Sequence, residues 1–412
     1  MNLFNNQYLK NSETVTIVFL ILLSIFIRIP AVLLFGDKTL EYEWEVLVSN
    51  LISHNILAFD YNNPSFNKYL FPNLLMPPLY AYYLYFLSIF GFQEQNYIFL
   101  VLCSQIFLAS ISVAVFYKIN KIFFSKKICF YSTILFSIFP LHLIACTQIS
   151  SINLQIFFTL LFFYLFFKFK EKRDFLSIFF LSLTAGLLIL LRGEFIAILL
   201  LSILYLFFFY KVKIEKILLI VLITLLTVSP YLVRNIFIFN EIVITKSVGY
   251  NLWKGNNPNT KVEGGGILDK DLKSKINNIP KDKLYGLNFD KVFTERALKN
   301  LKEEPAKYFI LFIKKILSYL FIDIESTQKN YYHFLHYIPV FLVGATSLAG
   351  IILSNKNSKK LNFLILVFFL NVVIFSIFFI LPRYKLAILP LQIIFTNIFI
   401  NHVIKKFFHE NK

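Results

Sequence analysis

The fold of this chain is decided by the apolar run TVTIVFLILLSIFIRIPAVLLF at residues 14–35. A helix needs roughly 20 apolar residues to cross a hydrocarbon core, and this run is long enough. It is too long for the core of a signal peptide and has no small-residue cleavage site, so we expect it to remain as a first transmembrane span. Arg28 lies inside the run, where a charge costs about 2.5–3.5 kcal/mol on insertion scales. We interpret it as a structural arginine near the interface, the alternative being one that faces a polar cavity.

The next stretch is GDKTLEYEWEVLVSN, residues 36–50, which carries the carboxylates of Asp37, Glu41, Glu43 and Glu45. Membrane insertion does not require acids so close to the bilayer, which makes them candidates for chemistry. Glu41 and Glu45 are four residues apart and share a helical face, whereas Glu43 points elsewhere. A solvated acidic face on a loop helix is the alternative interpretation, and the sequence leaves both open.

Apolar residues recur through this stretch at steps of three and four, which predicts an amphipathic helix lying along the membrane. They are Leu40, Trp44, Leu47, Val48, Leu51 and Ile52. We call residues 36–75 the first loop. A helix there would hold its acids in the headgroup layer, where a lipid-borne substrate presents its phosphate.

The composition of the whole chain predicts an all-α, polytopic membrane protein. Of its 412 residues 58% are hydrophobic and 16% are charged, and the mean hydropathy is +0.68. A soluble domain would carry about a quarter charged residues. The net charge of +18 lies largely in short clusters at span ends, as the positive-inside rule describes. We therefore expect no nucleic-acid partner.

Further apolar runs predict nine more spans. They cover residues 98–118, 128–147, 152–168, 175–191, 195–210, 217–235, 335–353, 361–381 and 386–403. Basic loops between them mark the cytoplasmic side, at residues 118–127, 168–173, 211–216, 355–360 and 405–412. The run at residues 76–92 conflicts with this orientation if it crosses fully, so we expect it only to dip into the membrane. The total is ten or eleven transmembrane helices.

The chain divides into three parts on this pattern. Residues 1–235 form a transmembrane module with the acidic first loop, residues 236–333 form a larger extramembrane region, and residues 334–412 form the last spans. The run at residues 305–321 is apolar, but Lys314 and Lys315 interrupt its centre. Two adjacent lysines at the middle of a bilayer would be costly, so we predict an interfacial helix.

No soluble-enzyme motif is present. The three cysteines have no paired spacing, which argues against a disulfide framework and a metal site. His333 and His336 are the one close histidine pair, which we interpret as structural. We therefore assign no metal ligands and no certain cofactor. The first-loop acids are hard oxygen ligands and could hold a divalent cation.

Charged residues also cluster at the span ends opposite the basic loops. They are Arg192 and Glu194 in LRGE, Arg234 in SPYLVRN, and Arg383 and Lys385 in LPRYK. Arginine suits phosphate because its planar fork donates two parallel hydrogen bonds. Cations that face the first-loop acids would form a pocket with a phosphate side and a carboxylate side. Singly, each is more simply explained as an anchor at the membrane surface.

The order of these segments resembles a known family. An acidic stretch follows the first span, and then come Pro77-Pro-Leu-Tyr80 and Ser229-Pro-Tyr-Leu-Val-Arg-Asn235. Gly249-Tyr-Asn-Leu-Trp-Lys-Gly-Asn-Asn-Pro258 and Pro382-Arg-Tyr-Lys-Leu386 complete the set. Over nearly its whole length the chain resembles the bacterial C-type membrane glycosyltransferases. It is similar to dolichyl-phosphate-mannose protein mannosyltransferases and to the aminoarabinose transferases of lipid A.

The resemblance implies roles for particular residues. The first-loop acid that acts as base on the acceptor maps best onto Glu43, with Asp37 and Glu41 as alternates. The donor phosphate would contact Arg383 and Tyr384, with Arg234 and Lys385 as further cations. Many members carry a second acid where this chain reads QISSINL at residues 148–154. That departure puts a two-acid or metal-assisted site in doubt.

The function implied is sugar transfer from a polyprenyl-phosphate donor to a lipid, glycan or protein acceptor, with inversion and general-base catalysis. We expect it at the outer face of a bacterial inner membrane. The alternative is a transporter or flippase of lipid-linked glycans. Transporters usually show two related halves, and the sequence shows none. A glycan polymerase is a third idea, but it would lack the Gly-Asn-Asn-Pro segment near an Arg-Asn pair.

Overall fold

The computed structural model describes residues 2–61, 69–91, 94–327 and 333–409. The described chain is built almost entirely of helices, which confirms the predicted all-α polytopic class. In chain order the helices are α1 (Asn2–Phe35), α2 (Tyr42–His54), α3 (Pro78–Ser88), α4 (Glu94–Asn120), α5 (Lys126–Ile138), α6 (Pro140–Thr147), α7 (Ile152–Lys172), α8 (Phe175–Leu191), α9 (Phe195–Phe208), α10 (Ile214–Phe239), α11 (Val248–Gly255), α12 (Lys270–Asn277), α13 (Tyr285–Glu303), α14 (Pro305–Leu320), α15 (Phe334–Ile352), α16 (Lys359–Ile377) and α17 (Leu389–His409). A 3₁₀ turn covers Pro382–Lys385.

The first loop also contains a short antiparallel hairpin that the sequence did not predict. Its strands are β1 (Ala58–Tyr61) and β2 (Tyr69–Pro72), with Ala58 opposite Pro72. The side chain of Asn50 donates a 2.9 Å hydrogen bond to the carbonyl of Ala58. This bond ties the end of α2 to the hairpin, so the first loop is a folded unit.

The number of spans is smaller by strict criteria than the ten or eleven expected. Six of the described helices are long and apolar enough to cross a membrane, and the bent pair α5 and α6 would make a seventh. The apolar helices α8 and α9 are shorter. Helix α3 has 11 residues, which gives a length of about 16 Å at 1.5 Å per residue. A helix of that length agrees with the expectation that residues 76–92 do not cross.

Large side chains hold the bundle together. Helix α4 packs against α1 and α7, α8 packs against α7 and α10, and α15 packs against α17. Phe166 of α7 and Phe363 of α16 stack with ring centroids 4.0 Å apart in the core. Gly350 permits the close approach of α15 to α17, because a Cβ there would lie 1.9 Å from the carbonyl oxygen of Phe395.

The basic loops lie together at one end of this bundle. Lys121 pairs with Glu13 at 2.6 Å, and Lys360 pairs with Glu171 at 2.9 Å. Arg173, in the same loop as Glu171, donates to the carbonyl of Tyr210 at 2.9 Å, directly before the basic loop at residues 211–216. The ends that carry Thr147, Arg192, Arg234 and Arg383 meet the first loop instead, as described below.

Arg28 is buried inside the bundle, which agrees with the alternative of an arginine that faces a polar cavity. It is only 1% exposed, and its Nη1 donates to the hydroxyl of Ser24 at 2.6 Å. His142 and Asn153 line the same small internal cavity. The cost of the charge is therefore reduced by a polar interior rather than by the headgroup layer.

The described part of residues 236–333, which we predicted to lie outside the membrane, is organised around α11 and α13, which pack through Trp253 and Phe293. Helix α14 carries the two lysines that interrupt its apolar run. Lys315 is buried and donates to the carbonyl of Gly255 at 2.7 Å, whereas Lys314 is exposed. The exposed residues of α14 include Phe309 and Leu317, and its interfacial placement stays a prediction, as do the three domain boundaries.

Candidate active site

Helix α2 holds the first-loop acids in place. Its buried face includes Trp44, Leu47 and Val48, and the Trp44 ring meets that of Tyr80 edge-on at 4.9 Å. Glu43 and Glu45 lie on the exposed face. The periodicity of the stretch therefore predicted the helix, but not the placement of the acids: Glu41 precedes the first helical residue, Tyr42, and Glu43 is exposed together with Glu45.

The carboxylate of Glu41 joins the first loop to the end of the chain. Its Oε1 lies 3.7 Å from Nη1 of Arg383, and the two side chains are 49% and 33% exposed. Partial burial raises the pKa of Glu41, the charge of Arg383 lowers it, and the charges of Glu43 and Asp37 raise it. Three acids and one arginine, separated by more than 300 residues of chain, thus act on one another.

Asp37 docks against the junction between α6 and α7. Its backbone N–H donates to the carbonyl of Thr147 at 2.9 Å, and its Oδ2 accepts from the N–H of Ile149 at 2.7 Å. Burial raises the pKa of Asp37, and the bond from Ile149 lowers it. Residues 148–154 lack the second acid that many members of the resembled family carry. The carboxylate of Asp37, from the first loop, lies against this segment instead.

The charge of Glu43 acts on two residues of helix α11. Burial raises the pKa of Tyr250, and the charge of Glu43 raises it further. Burial and the charge of Arg383 lower the pKa of Lys254, and the charge of Glu43 opposes them. Sequence reasoning did not single out Lys254, although a basic residue inside the Gly249–Pro258 segment was a signal that could have found it.

Tyr384 lies in an aromatic and cationic layer beside Arg383. Its ring is 5.1 Å from that of Phe375 and 5.6 Å from that of Phe379, and the guanidinium of Arg192 lies 6.0 Å from its centroid. Burial raises the pKa of Tyr384, and the charges of Arg383 and Arg192 lower it.

The turn between α8 and α9 adds two polar atoms to this layer. Nε of Arg192 and Oε1 of Glu194 are buried and have no hydrogen-bond partner among the described residues. The charge of Glu194 also raises the pKa of Tyr384. The two charged side chains picked out in the LRGE segment thus border Tyr384.

Arg234 binds the backbone of the first loop. Its Nη1 donates to the carbonyl of Asn73 at 3.0 Å and to Oδ1 of Asn235 at 2.6 Å, and its Nη2 donates to the carbonyl of Leu57 at 3.0 Å. It also lies 5.2 Å from the centroid of Tyr231. The terminal nitrogens of this predicted phosphate ligand are therefore engaged with protein.

Lys385 points away from Arg383. It is 1% exposed, and its ammonium donates to the carbonyl of Phe321 and, at 3.5 Å, to that of Ser318. Its side chain holds the 3₁₀ turn against the end of α14. Of the two neighbouring cations that the sequence placed at the donor phosphate, the structure brings only Arg383 to the acids.

The described residues do not offer a built metal site. In the ranges that the structure covers, no three His, Cys, Asp or Glu side chains come together in an arrangement that could hold a metal ion. We therefore derive no step through a metal.

The sequence and the architecture are similar to those of known proteins. Residues 76–233 match the family model described as dolichyl-phosphate-mannose-protein mannosyltransferase. The crystal structure of the oligosaccharyltransferase of Archaeoglobus fulgidus in the apo form aligns over 96% of this chain, with a TM-score of 0.54 and 12% identity. At this level of identity the likeness shows that the two proteins share a fold.

Two more solved structures align with this chain. The Archaeoglobus fulgidus oligosaccharyltransferase tethered with an acceptor peptide aligns over 95% of the chain and 50% of its own length, with 13% identity and a TM-score of 0.55. ArnT from Cupriavidus metallidurans aligns over 95% of the chain and 77% of its own length, with 13% identity and a TM-score of 0.41. The chain spans about half the length of the oligosaccharyltransferase structures. No curated protein sequence matches it.

The family match does not include the predicted site residues. It begins at residue 76, after the first-loop acids, and it ends at residue 233, one residue before Arg234. Arg383 and Tyr384 also lie outside it. The roles of these residues therefore rest on the geometry described above.

Proposed function

We propose that this protein is a glycosyltransferase that moves a hexose or pentose from a polyprenyl-phosphate donor to a hydroxyl of a lipid, glycan or protein acceptor. The observation that carries the proposal is the 3.7 Å contact between Glu41 and Arg383. It brings a cation suited to phosphate beside three carboxylates at the end of the bundle opposite the basic loops. The match of residues 76–233 to a mannosyltransferase family supports an enzyme over a transporter.

The reaction we propose is a single displacement. A carboxylate removes the proton from the acceptor hydroxyl, whose oxygen attacks the anomeric carbon of the donor sugar. The bond from that carbon to the phosphate oxygen breaks, and the polyprenyl phosphate leaves with the electron pair. Attack opposite the leaving group inverts the anomeric configuration. A general base contributes about 10²–10⁴-fold when it lies within hydrogen-bond reach of the proton.

Glu43 is the carboxylate that we assign as the base. The oxygens of Asp37 and Glu41 are engaged by Ile149 and Arg383. Glu43 has neither a hydrogen bond nor an ion pair from its side chain within the described residues, and it is exposed on α2. An unengaged carboxylate can approach an acceptor without first breaking a contact. Asp37 and Glu41 would then shape the pocket.

Arg383 is the group that we assign to the leaving phosphate. Negative charge gathers on this phosphate as the bond breaks, and a guanidinium held in place stabilises it without reorganisation. Tyr384 packs beside it and orients the turn. We give Arg234 and Lys385 structural roles, because backbone carbonyls occupy their donors.

We further propose that the protein is a multi-pass protein of a bacterial inner membrane and that it acts on the extracytoplasmic side. The described basic loops meet at the end opposite the first loop. Basic loops are retained in the cytoplasm, which would leave the acids and Arg383 outside. Labelling of single cysteines in the first loop by a membrane-impermeant reagent in intact cells would test this orientation.

The test of the function is sugar transfer by the purified protein in lipid vesicles. We expect it to move radiolabelled sugar from one of a panel of polyprenyl-phosphate hexoses and pentoses to a lipid, glycan or peptide acceptor. Glu43→Gln and Arg383→Ala should lower the rate at least a hundredfold, as loss of a base or of a charge-stabilising donor does. Glu45→Gln is the matched control, because Glu45 is also an exposed acid of α2. Absence of transfer across the panel would refute the activity, and full activity in both variants would refute the site.

A further inference from the structure

Lys254 lies where two helix ends make close contact. It precedes Gly255, the last residue of α11, and a Cβ on Gly255 would lie 1.8 Å from the carbonyl oxygen of Phe378. Only glycine lets α11 approach the end of α16 so closely. The side chain of Asn256 donates to the carbonyl of Ile377 at 2.9 Å and strengthens the same contact. The position of Lys254 beside Phe379 is therefore built into the backbone.

The residues that follow α11 hold Lys254 from the other side. Its carbonyl accepts hydrogen bonds from the N–H of Gly265 at 2.8 Å and from the hydroxyl of Thr260 at 2.7 Å. Gly264 has a φ of +86°, and a Cβ there would lie 3.1 Å from Cγ of Lys254. Both the backbone and the aliphatic stem of the lysine are thus fixed.

The ammonium of Lys254 has an aromatic neighbour but no anionic partner. Its Nζ lies 4.9 Å from the centroid of Phe379, whose ring also packs on Tyr384 at 5.6 Å. Within the described ranges its Nζ makes neither a hydrogen bond nor an ion pair. Lys315 of α14, by contrast, donates to the carbonyl of Gly255 and to Oδ1 of Asn256. Lys254 is therefore free to receive a ligand, whereas Lys315 is not.

Lys254 and Arg383 border one aromatic pair, because Phe379 contacts both Lys254 and Tyr384, the residue after Arg383. Burial lowers the pKa of Lys254, the charge of Arg383 lowers it further, and the charge of Glu43 opposes both. Holding two like charges together costs free energy that an anion bound between them would recover. Groups with perturbed pKa values and specific charged neighbours in a cleft are common at functional sites.

We propose that Lys254 is a second ligand of the donor phosphate, acting together with Arg383. The inference rests on the proposed function for the identity of the ligand, a polyprenyl phosphate monoester or its sugar diester. Arg383 supplies a planar fork and Lys254 supplies a compact charge on a braced stem. Because Lys254 also faces Glu43, it places the phosphate beside the carboxylate that we assign as the base.

The experiment is direct binding of polyprenyl phosphate, which lacks a sugar to transfer. Binding to the full-length protein in detergent is measured by quenching of its tryptophan fluorescence. A hydrogen bond between two charged groups contributes enough that its loss weakens binding about ten- to hundredfold. We expect that loss in Lys254→Ala and in Lys254→Gln, which keeps part of the stem on Phe379, and recovery in Lys254→Arg. Lys261→Ala is the matched control, since Lys261 is 72% exposed in the next turn of chain. Uncharged polyprenol should bind all these proteins alike.

The pH dependence of binding separates a bound cation from a merely structural lysine. Deprotonation removes the charge of Lys254, so the affinity for polyprenyl phosphate should fall as pH rises through the pKa of this lysine. Because that pKa is lowered, the fall should occur at a lower pH than an ordinary lysine would give. Arginine keeps its charge over that range, so Lys254→Arg should bind without this fall. Glu43 and Arg383 also face the ammonium, and Glu43→Gln should move the fall to lower pH because it removes an opposing charge.

Several outcomes would decide the proposal. Wild-type affinity in both Lys254→Ala and Lys254→Gln would overturn it, as would a lower transfer rate in these variants without weaker phosphate binding. If no sugar is transferred but phosphate binding depends on Lys254, the ligand assignment stands and the proposed function fails. If sugar is transferred and polyprenol binding falls as much as phosphate binding, Lys254 has a structural role and the assignment fails.

Discussion

Arg234 and Arg383 lie at two span ends that look alike in sequence and differ in the folded protein. Each follows a proline by a few residues, at a span end that meets the first loop. Arg234 donates three hydrogen bonds of 2.6–3.0 Å, two of them to first-loop carbonyls. Arg383 makes one 3.7 Å contact with a carboxylate and remains one-third exposed.

The two guanidinium groups differ in how many of their N–H donors remain available to a ligand. Arg234 has its fork filled by backbone, so it stabilises the hairpin and the segment around Asn73. Arg383 lies beside Glu41, and the charges of Arg383 and Glu43 both act on Glu41 and on Lys254. We therefore propose that Arg234 builds the wall of the candidate site and that Arg383 binds a ligand. The predictions below test that division.

The largest effect is expected on the transfer rate of Arg383→Ala. Loss of a positioned charge that stabilises a developing anion costs about 10²–10³ in turnover, and the long contact with Glu41 adds little to the stability of the protein. The measurements are the rate of sugar transfer in vesicles and the midpoint of thermal unfolding. A variant that loses both activity and thermal stability would show that Arg383 is structural, like Arg234.

Arg234→Ala should show the opposite pattern. Removing the guanidinium takes a charged donor from the carbonyls of Leu57 and Asn73, which keep only the N–H of Asn73 and the hydroxyl of Tyr231. Each lost hydrogen bond to a charged group costs about 1.5–3 kcal/mol. We expect a clear fall in the unfolding midpoint and a transfer rate within about tenfold of wild type at temperatures where the variant is folded. Arg234→Lys restores the charge but not the fork, so it should regain only part of the lost stability. Activity that falls a hundredfold without any loss of stability would return Arg234 to the phosphate site.

A smaller effect is expected for the pair of Glu41 and Arg383. Ion pairs between partly exposed side chains contribute about 0.2–1 kcal/mol. A double-mutant cycle with Glu41→Gln and Arg383→Gln, read by unfolding of the protein in detergent, should give a coupling in this range. A coupling of several kcal/mol would mean that the two groups form a structural bridge rather than the sides of an open pocket.

The smallest effect is a shift in the titration of Glu41. Burial already raises its pKa, and the positive charge of Arg383 lowers it. Arg383→Gln removes the lowering influence, so the pKa of Glu41 should rise further. Difference infrared spectroscopy of the carboxyl band, with Glu41→Gln to assign the signal, measures this shift. An unchanged or lower pKa would contradict the contact.

The sequence predicted the membrane helices well because their signal is local. Continuous apolar runs identified α4, the helices from α7 to α10 and those from α15 to α17, and the three- and four-residue periodicity of the first loop identified α2. The run at residues 128–147, predicted as one span, is instead the pair α5 and α6, bent by 46°. The number of crossings was less predictable, because length and hydropathy do not separate a full span from a short helix such as α3. The sequence left two positions open for Arg28, since His142 and Asn153, which line its cavity, come from other helices.

The site could be predicted only in outline. Proline and charge at span ends pointed to Arg383, and acids beside a span pointed to Glu41 and Glu43. The same local pattern also selected Arg234, whose donors bind carbonyls distant in sequence. Lys254 was missed because its exposure to Arg383 depends on the close approach permitted by Gly255. Such differences arise from tertiary contacts that a linear pattern does not contain.

The most direct test is a cryo-EM structure of the full-length protein with a non-hydrolysable polyprenyl-phosphate sugar analogue. We expect the phosphate to lie within hydrogen-bond distance of Arg383 and Lys254 and the anomeric carbon to lie on the side of Glu43. Arg234 should keep its bonds to the carbonyls of Leu57 and Asn73. A phosphate held by Arg234, or one bound away from the first-loop acids, would contradict it.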